Sequence, residues 1–229
     1  MKTPLALILA SLTAAAAFAG DYTRTIFSDD FSSGSFGPRW GHYKSSSVVK
    51  DGILVGITDE KSDHSAVDNI KFPGERDLEV SVKFRFVSDQ AKSFGLWFDD
   101  KDYKGSHAGH ICQAVISPTS VTLSDAKTGN FDLTGGLYDR SKENKLTAEE
   151  KEMLKTKRKT VEVKLALNEW HTLVAHTKGD ELEVIVDGKS VGSFKSPGIA
   201  HETKSLVSLT TNRVDVNYDD FSIKGVAKP

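Results

Sequence analysis

The sequence predicts an all-β protein built as a sandwich of two antiparallel sheets. Its dominant signal is a period of two: LEVSVKFRF at 78–86 places five apolar side chains on one face and four polar or charged ones on the other, as in a strand with one buried side. Short segments of similar character recur along the chain: SFGLWF, HICQAVI, TVEVKLAL, LEVIV and VDVNYDDFSI. Turn signals such as DG at 51–52, KGD at 178–180 and DGK at 187–189 separate several of them. Many short strands punctuated in this way indicate a jelly-roll sandwich.

The first residues, MKTPLALILASLTAAAAFAG, predict a signal peptide over 1–19. Lys2 supplies the positive start, the apolar run at 5–12 is too short to span a membrane, and AFA at 17–19 matches the small-residue cleavage pattern. No Cys follows the cleavage site, so a lipoprotein anchor is not indicated. We therefore expect a secreted or periplasmic protein with one domain over 20–229, a length that a single β-sandwich can use.

The net charge limits which partners the protein can bind, and the cysteine content limits whether disulfides can stabilise it. Lys and Arg number 30 against 32 Asp and Glu, a formal charge of −2, which argues against a nucleic-acid partner or an anionic membrane surface. Cys112 is the only cysteine, so no intrachain disulfide can form. Within HICQAVI it is expected to be an inert buried thiol rather than a nucleophile.

One segment, LTAEEKEMLKTKRK at 146–159, departs from the strand pattern. Thr147 and Glu150 form a capping-box pattern, and the basic residues at the other end suit a helix C-terminus. The segment predicts a short surface helix, near 147–157, inserted in a long connection. Its basic end is either a solvated terminus or a site for an anion or a partner.

The tetrapeptide DDFS occurs at 29–32 and again at 219–222. If Phe31 and Phe221 face the core, alternation directs Asp29 and Asp219 the same way. The first and last strands of such sandwiches commonly lie side by side, so the two carboxylates are expected to approach each other. A structural calcium ion would relieve their repulsion, because oxygen ligands suit calcium. The alternative is that each aspartate accepts hydrogen bonds from nearby backbone N–H groups.

Several motifs resemble known families. EWHTLVAHTKGDELEVIVDGKSVGSF, at 169–194, resembles the hairpin pair of concanavalin A-like and laminin-G-like sandwiches. FSDDF, VKDGILVG, SFGLWF, GHICQAVI, TGGLYD and the final DDFSI are similar to the 3-keto-disaccharide hydrolase domain family, relatives of family 16 glycoside hydrolases. These pieces span nearly the whole mature chain and keep their order. The resemblance implies a concanavalin A-like jelly roll and a carbohydrate ligand or substrate.

The richest cluster of functional side chains is WFDDKDYKGSHAGHICQ at 97–113. Aromatic faces pack against sugar C–H groups, while carboxylates and amides bind hydroxyls. On that ground the expected substrate-binding residues are Trp97, Tyr103, His107, Arg85 and Gln113. Arg85 and Gln113 are included among them because alternation places each on the face of its strand opposite to the apolar side chains. Trp97 could instead pack beneath a loop or the inserted helix without binding a ligand. His107 and His110 could instead be solvent-exposed loop residues without a function in binding.

The family resemblance also implies a chemistry. Members are reported to cleave 3-keto glycosides, in which the ketone at C3 acidifies the C2 proton, so that a base and an acid are needed. His110, Asp99 and Tyr138 are chemically suitable candidates for catalytic residues. The chain departs from the family where HICQ replaces a typical G-Y-E-x-Q, and it lacks the E-x-D-x-x-E pattern of family 16 hydrolases.

Three functions remain open on the sequence alone. The first is an exported enzyme that cleaves 3-keto glycosides by elimination or hydrolysis. The second is a non-catalytic glycan-binding module that uses Trp97 and the Asp/His loop. The third is a structural or adhesion protein of the cell envelope.

Overall fold

The computed structural model describes residues 21–88, 92–212 and 216–227, so the predicted signal peptide lies outside the described residues. Strands are numbered in chain order. The first sheet contains β1 (Arg24–Asp29), β3 (Val48–Lys50), β4 (Ile53–Gly56), β6 (Leu78–Phe86), β11 (His171–Lys178), β12 (Glu181–Val186), β13 (Lys189–Lys195) and β15 (Val216–Gly225). The second sheet contains β2 (Trp40–Tyr43), β5 (Ala66–Glu75), β7 (Ser93–Asp99), β8 (His110–Ile116), β9 (Ser120–Asp125), β10 (Arg158–Glu162) and β14 (Lys204–Asn212).

Both sheets are antiparallel, which confirms the predicted jelly-roll sandwich. The first runs in the order β13-β12-β11-β6-β15-β4-β3, with β1 paired to the second half of β15. The second runs in the order β10-β9-β8-β7-β14-β5-β2. Within the described residues, the helices are too short and too polar to cross a membrane.

The core lies between the two sheets and is rich in aromatic rings. In β6 the apolar residues of LEVSVKFRF are all buried, as the period of two predicts. Phe84 packs against Phe94 of the opposite sheet at 4.9 Å between ring centroids, and Phe94 packs edge-on against Tyr218 at 5.3 Å. The Tyr218 hydroxyl shares a 2.8 Å hydrogen bond with Thr211 Oγ1, so its polar end is satisfied inside the core. Burial of each such ring contributes roughly 1.5–3 kcal/mol to folding.

Two short helices, α1 (Leu137–Lys142) and α2 (Ala148–Lys155), occupy the connection between β9 and β10. The predicted capping box is present at the start of α2: Glu150 N donates to Thr147 Oγ1, and Thr147 N donates to the Glu150 carboxylate. Glu150 also pairs with Arg140 of α1 at 2.6 Å, which ties the two helices together. Helix α1 was not predicted, because six residues give too little periodicity to detect.

The two copies of DDFS meet, since β1 and β15 are antiparallel neighbours. Phe27 lies opposite Ile223, and Asp29 lies opposite Phe221. Phe27 and Phe221 then pack on Trp40, which anchors both chain ends to the second sheet. The prediction that the ends of the chain are neighbours is confirmed.

The predicted orientation of Asp219 is wrong. Tyr218 and Phe221 are both buried although they are three residues apart, because a bulge between Asp219 and Ser222 changes the phase of β15. Asp220 adopts a positive φ of 46° at this bulge and pairs with Lys83 at 2.6 Å. Asp219 therefore does not point with Phe221 into the core, and its Oδ1 accepts a hydrogen bond from Asp220 N.

The geometry does not fit a calcium site formed by the two aspartates. Asp29 accepts hydrogen bonds at 2.8 Å from Phe31 N and from Trp40 Nε1, one on each carboxylate oxygen. Among the described residues, no group of three or more His, Cys, Asp and Glu side chains has metal-binding spacing. The hydrogen bonds match the alternative role of Asp29 as a local acceptor, and the calcium ion itself stays a prediction.

We expect Asp29→Ala to lower the free energy of unfolding by about 1–3 kcal/mol, because it leaves the Phe31 amide and the Trp40 indole without their acceptor. Asp30→Ala is the matched control, since Asp30 is exposed and, within the described part of the chain, hydrogen-bonds only to Ser32. Urea denaturation of the three proteins measures the difference. Melting each with added Ca²⁺ and with a chelator tests the calcium prediction: a shift in wild type that Asp29→Ala abolishes would mean that Asp29 does hold calcium.

Candidate functional site

A cleft of about 580 Å³ lies on the outer face of the second sheet. Strands β5, β14, β7 and β8 form its floor. Asn69, Ser208, Trp97 and Gln113 stand directly opposite one another on successive strands and form a polar and aromatic row across the sheet. The next residues on either side of Trp97, Leu96 and Phe98, are fully buried in the core. Alternation in SFGLWF thus places Trp97 on the face opposite to the core, as the sequence predicts.

His110 and Asp99 form a hydrogen-bonded pair in the cleft. Asp99 Oδ1 lies 2.8 Å from His110 Nδ1, and the side chains are 3% and 20% exposed, respectively. Burial raises the pKa of the Asp99 carboxyl above its ordinary value, while the hydrogen bonds to His110 and Ser208 oppose that rise. When Asp99 is ionised and the ring is neutral, the Nδ1 proton is held by Asp99, so Nε2 carries the free lone pair. Nε2 makes no hydrogen bond to another described residue.

A bulge brings this pair together. In β8, Ile111 and Cys112 are both buried, so strict alternation is interrupted, and His110 and Gln113 both face outward although they are three residues apart. The matching register shift between Phe98 and Asp99 sets Asp99 opposite His110. Without the bulge, alternation would turn His110 away from the face that carries Gln113.

Aromatic rings form the wall of the cleft around His110. Trp97 packs on the His110 ring at 4.2 Å, and Phe131 meets His110 edge-on at 4.8 Å. His107 stacks on Tyr138 at 4.2 Å with an interplanar angle of 12°. Burial lowers the pKa of His107 below its ordinary value, helped by the nearby His110 and Lys142. His107 is therefore a neutral ring near pH 7.

The loop between β7 and β8 is folded so that its histidines reach the cleft. Asp100 N donates to Gly109 O at 2.9 Å, and His107 N donates to Phe131 O at 2.8 Å. Gly109 has a φ of 76°, and a Cβ there would lie 2.1 Å from Asp100 O, so the loop accepts no side chain at that position. Tyr138 N donates to Asp132 O at 2.9 Å and positions the start of α1 beside the same loop.

The structure brings together five of the residues that the sequence singles out: Trp97, Asp99, His107, His110 and Tyr138 all line the cleft. Tyr103 follows Asp102 in the same loop but packs against His201 at 4.7 Å and is not part of the lining. Gln113 borders a neighbouring depression next to Trp97. The residue assignments of the first group as catalytic or sugar-binding stay predictions.

Arg85 does not share the surface of Trp97, contrary to the prediction. It lies on β6 in the first sheet, where its guanidinium stacks over the Trp170 ring at 4.8 Å. Alternation gives the face of a residue within its own sheet, but it does not say which of the two sheets the strand joins.

Sequence reasoning missed several residues of the cleft. Phe131 contacts Trp97, His107, His110 and Tyr138, yet it lies in the irregular segment TGNFDL, where no periodicity marks a buried face. Asn69 comes from β5, and its Oδ1 is buried without a hydrogen-bond partner in the described part of the chain. Tyr43 was missed as well, and it packs edge-on at 5.3 Å on His64 to form one rim of the cleft. His64 itself was not missed, since its loop in DEKSDHSAV had suggested that it could approach the cleft. The only sequence signal for Phe131 as a cleft residue was its position, as an aromatic residue in a Gly/Asn/Asp-rich loop next to TGGLYD.

The site combines a histidine held by a carboxylate, the phenol of Tyr138 and the apolar faces of aromatic rings. The lining contains one carboxylate, that of Asp99, among the residues described, and neither Lys nor Arg. Such a site can bind a neutral sugar ring and exchange a proton with it. It does not offer the two carboxylates, roughly 5–9 Å apart, of an ordinary glycoside hydrolase.

Solved structures of carbohydrate-related proteins have a similar fold. A laminarinase from Rhodothermus marinus matches with a TM-score of 0.62 and 10% identity, over 90% of this chain and 98% of that one. The carbohydrate-binding module CBM66 from Bacillus subtilis matches with a TM-score of 0.54 and 12% identity, over 82% of this chain and 96% of the module. A sialidase matches with a TM-score of 0.61 and 12% identity over 88% of this chain, but this covers only 18% of the sialidase. At these identities the similarities show the fold alone.

A comparison of the sequence with curated proteins found no match. A family model, described as the 3-keto-alpha-glucoside-1,2-lyase-like domain, matches residues 26–224. This range takes in every strand from β2 to β14, the aromatic wall and the His110–Asp99 pair. The chain therefore belongs to the family of 3-keto-alpha-glucoside-1,2-lyase-like domains.

Proposed function

We propose that this protein is an exported enzyme that cleaves 3-keto glycosides by eliminating the group attached at C1. Its membership of a carbohydrate-active family supports the class of substrate. The observation that carries the proposal is the 2.8 Å contact between His110 and the buried Asp99 in a cleft whose walls are aromatic. Residues 1–19, which have the pattern of a signal peptide, support export.

The proposed reaction needs one base and one acid. A ketone at C3 acidifies the proton on C2, since the resulting carbanion is stabilised as an enolate. His110 Nε2 takes that proton, the C1–C2 double bond forms, and the C1–O bond breaks. The leaving oxygen takes a proton and departs as an alcohol, and later addition of water across the double bond would make the overall change a hydrolysis. Tyr138 is the candidate acid, because it borders the cleft on the side of His107.

Asp99 acts through His110. Its carboxylate orients the imidazole and stabilises the imidazolium that forms once the C2 proton has been transferred. Because burial leaves this carboxylate poorly solvated, an adjacent positive charge gains more from it than it would in water. This favours proton transfer to His110 and makes Asp99 a positioning residue.

The cleft also has the groups needed to hold a pyranose ring. Trp97 and Phe131 meet edge-on at 5.4 Å and offer apolar faces to the C–H side of a sugar. Asn69 Oδ1, buried and unpaired in the described chain, can accept a hydrogen bond from a hydroxyl. A neutral His107 adds a ring without placing a second positive charge next to His110.

We expect His110→Gln to lower kcat on a 3-keto α-glucoside with a 4-nitrophenyl leaving group by about 10²–10⁴-fold, since the general base is lost. His42→Gln is the matched control, because His42 forms a similar pair with a buried aspartate, Asp68, at 2.7 Å but does not line the cleft. Release of 4-nitrophenol measures the rate, and the ordinary glucoside should release none with any of the proteins.

Turnover in D₂O distinguishes elimination from direct displacement at C1. Removal of the C2 proton should introduce deuterium at C2 of the hydrated product. Full activity of His110→Gln, or a product that keeps its original C2 hydrogen, would rule out the base role of His110.

A non-catalytic glycan-binding module is the second candidate function. The aromatic lining of the cleft favours it, and one structure with the same fold is a carbohydrate-binding module. Under this function the protein binds sugars through Trp97 and Phe131, and neither the 3-keto nor the ordinary glycoside is turned over.

Gly95→Ala tests the part of Trp97 in binding under either function. A Cβ at position 95 would lie 2.7 Å from Trp97 Nε1, so the indole must move. We expect sugar affinity to fall by about tenfold, as measured by calorimetry, with a change in indole fluorescence. Gly37→Ala is the matched control, because its added Cβ meets only Asp29 Oδ2 at 3.8 Å. Unchanged affinity despite a displaced indole would remove Trp97 from the binding site.

A further inference from the structure

A second depression lies beside the cleft, beneath helix α2. Its volume is about 230 Å³, and its lining includes Gln113, Ser124, Phe131, Lys157 and Arg158. We call it the α2 depression. Leu154 of α2 closes it from above, and residues of β8 and β9 form its floor.

The α2 depression continues the binding face of the cleft. Phe131 lines both, and Gln113 stands directly opposite Trp97 on the neighbouring strand. The same row continues to Ser124 on β9 and to Arg158 on β10. With neighbouring strands about 4.8 Å apart, Arg158 lies three strands, about 14 Å, from Trp97 along this row. A sugar held over Trp97 would therefore extend its attached unit towards Arg158.

The two depressions differ in charge. Among the residues that the structure describes, neither Lys nor Arg lines the cleft, whereas Lys157 and Arg158 both line the α2 depression. Arg158 forms no ion pair with any described residue and is exposed to solvent. Its planar guanidinium can bind an oxyanion through two parallel hydrogen bonds.

Asp125 is the one acidic residue in the described lining of the α2 depression, and its carboxylate already has hydrogen-bond donors. Asp125 is 1% exposed and accepts hydrogen bonds from Thr128 N, Thr128 Oγ1, Ser196 Oγ and Gly198 N. Lys157 lies 4.0 Å from it and donates to Thr128 Oγ1 at 2.8 Å. The charge of Asp125 is thus balanced by Lys157 and four donors, which leaves the charge of Arg158 uncompensated.

A buried polar atom also faces this junction. Gln113 Oε1 is buried and has no hydrogen-bond partner among the described residues. A buried acceptor without a donor costs free energy, so its position between Trp97 and Arg158 suits a hydroxyl or a water carried by a ligand.

We propose that the α2 depression binds an acidic group on the unit attached to the reactive sugar, so that the preferred substrate is an anionic glycoside. Carboxylate, sulfate ester and phosphate ester share the oxyanion that Arg158 recognises, and Gln113 binds a hydroxyl at the junction. The link to the reactive sugar rests on the proposed function of the cleft. Anion binding in the α2 depression does not.

The test is an NMR titration of the ¹⁵N-labelled protein with glucose, glucuronate, glucose 6-sulfate and glucose 6-phosphate. We expect the acidic sugars to shift the side-chain amide signal of Gln113 and to bind about fivefold more tightly than glucose. Their rank order identifies the preferred anion. The preference should weaken as salt is added, because Arg158 is exposed.

Arg158→Gln should remove the fivefold preference and leave the affinity for glucose unchanged. Lys164→Gln is the matched control, since it removes one exposed positive charge from the loop after β10. Equal binding of glucose and all three acids, or a preference that Arg158→Gln leaves intact, overturns the proposal. The titration needs no turnover: anion binding without cleavage of any 3-keto glycoside would count against the proposed enzyme alone, and cleavage without anion preference would count against this subsite alone.

Discussion

The site depends on which side chains of its strands face outward and which face the core. A side chain on a strand faces either the core or the outer surface, and only a bulge changes that phase. At Ile111 and Cys112 of β8 two consecutive residues are buried, and this turns His110 to the face that carries Trp97 and Asp99. A second bulge, at Asp219 and Asp220, lets Tyr218 and Phe221 both reach the core. The first bulge therefore brings His110 into the cleft, and the second lets residues of the last strand on both sides of Asp219 and Asp220 pack into the core.

Regular features of the fold were predictable from the sequence, and irregular ones were not. The period of two in LEVSVKFRF gave the buried face of β6, and Thr147 with Glu150 gave the start of α2. The same rule failed for Asp219, because nothing in DDFS marks a bulge. It failed for Arg85 because the choice of sheet depends on long-range pairing of β6 with β11 and β15. Phe131 was missed because loop residues carry no periodic signal. The loop 97–113 was found by its composition, since aromatic, acidic and histidine side chains concentrate there.

Asp99 connects the stability of the fold to the chemistry of the cleft. A carboxylate that is almost fully buried costs free energy unless hydrogen bonds replace its water, and here His110 and Ser208 supply them. An apolar residue at this position would avoid that cost. When Asp99 is ionised and the His110 ring is neutral, the carboxylate accepts the Nδ1 proton and Nε2 stays open to the cleft. The cleft has no other carboxylate within the described residues, so in the proposed reaction the charge that develops during proton transfer would be confined to this pair.

The fold is shared with a laminarinase, but a shared fold does not carry its mechanism. Ordinary glycoside hydrolysis passes through an oxocarbenium-like state and uses two carboxylates, one on each side of the scissile bond. The described lining of this cleft offers Asp99 alone, and Asp99 is engaged by His110. Elimination from a 3-keto sugar needs fewer catalytic groups. The ketone makes the C2 proton acidic, so a single base can remove it. A hydrogen-bonded His–Asp pair among aromatic rings meets that demand. The proposed elimination therefore requires neither the E-x-D-x-x-E pattern, which the sequence lacks, nor a second carboxylate in the described lining of the cleft.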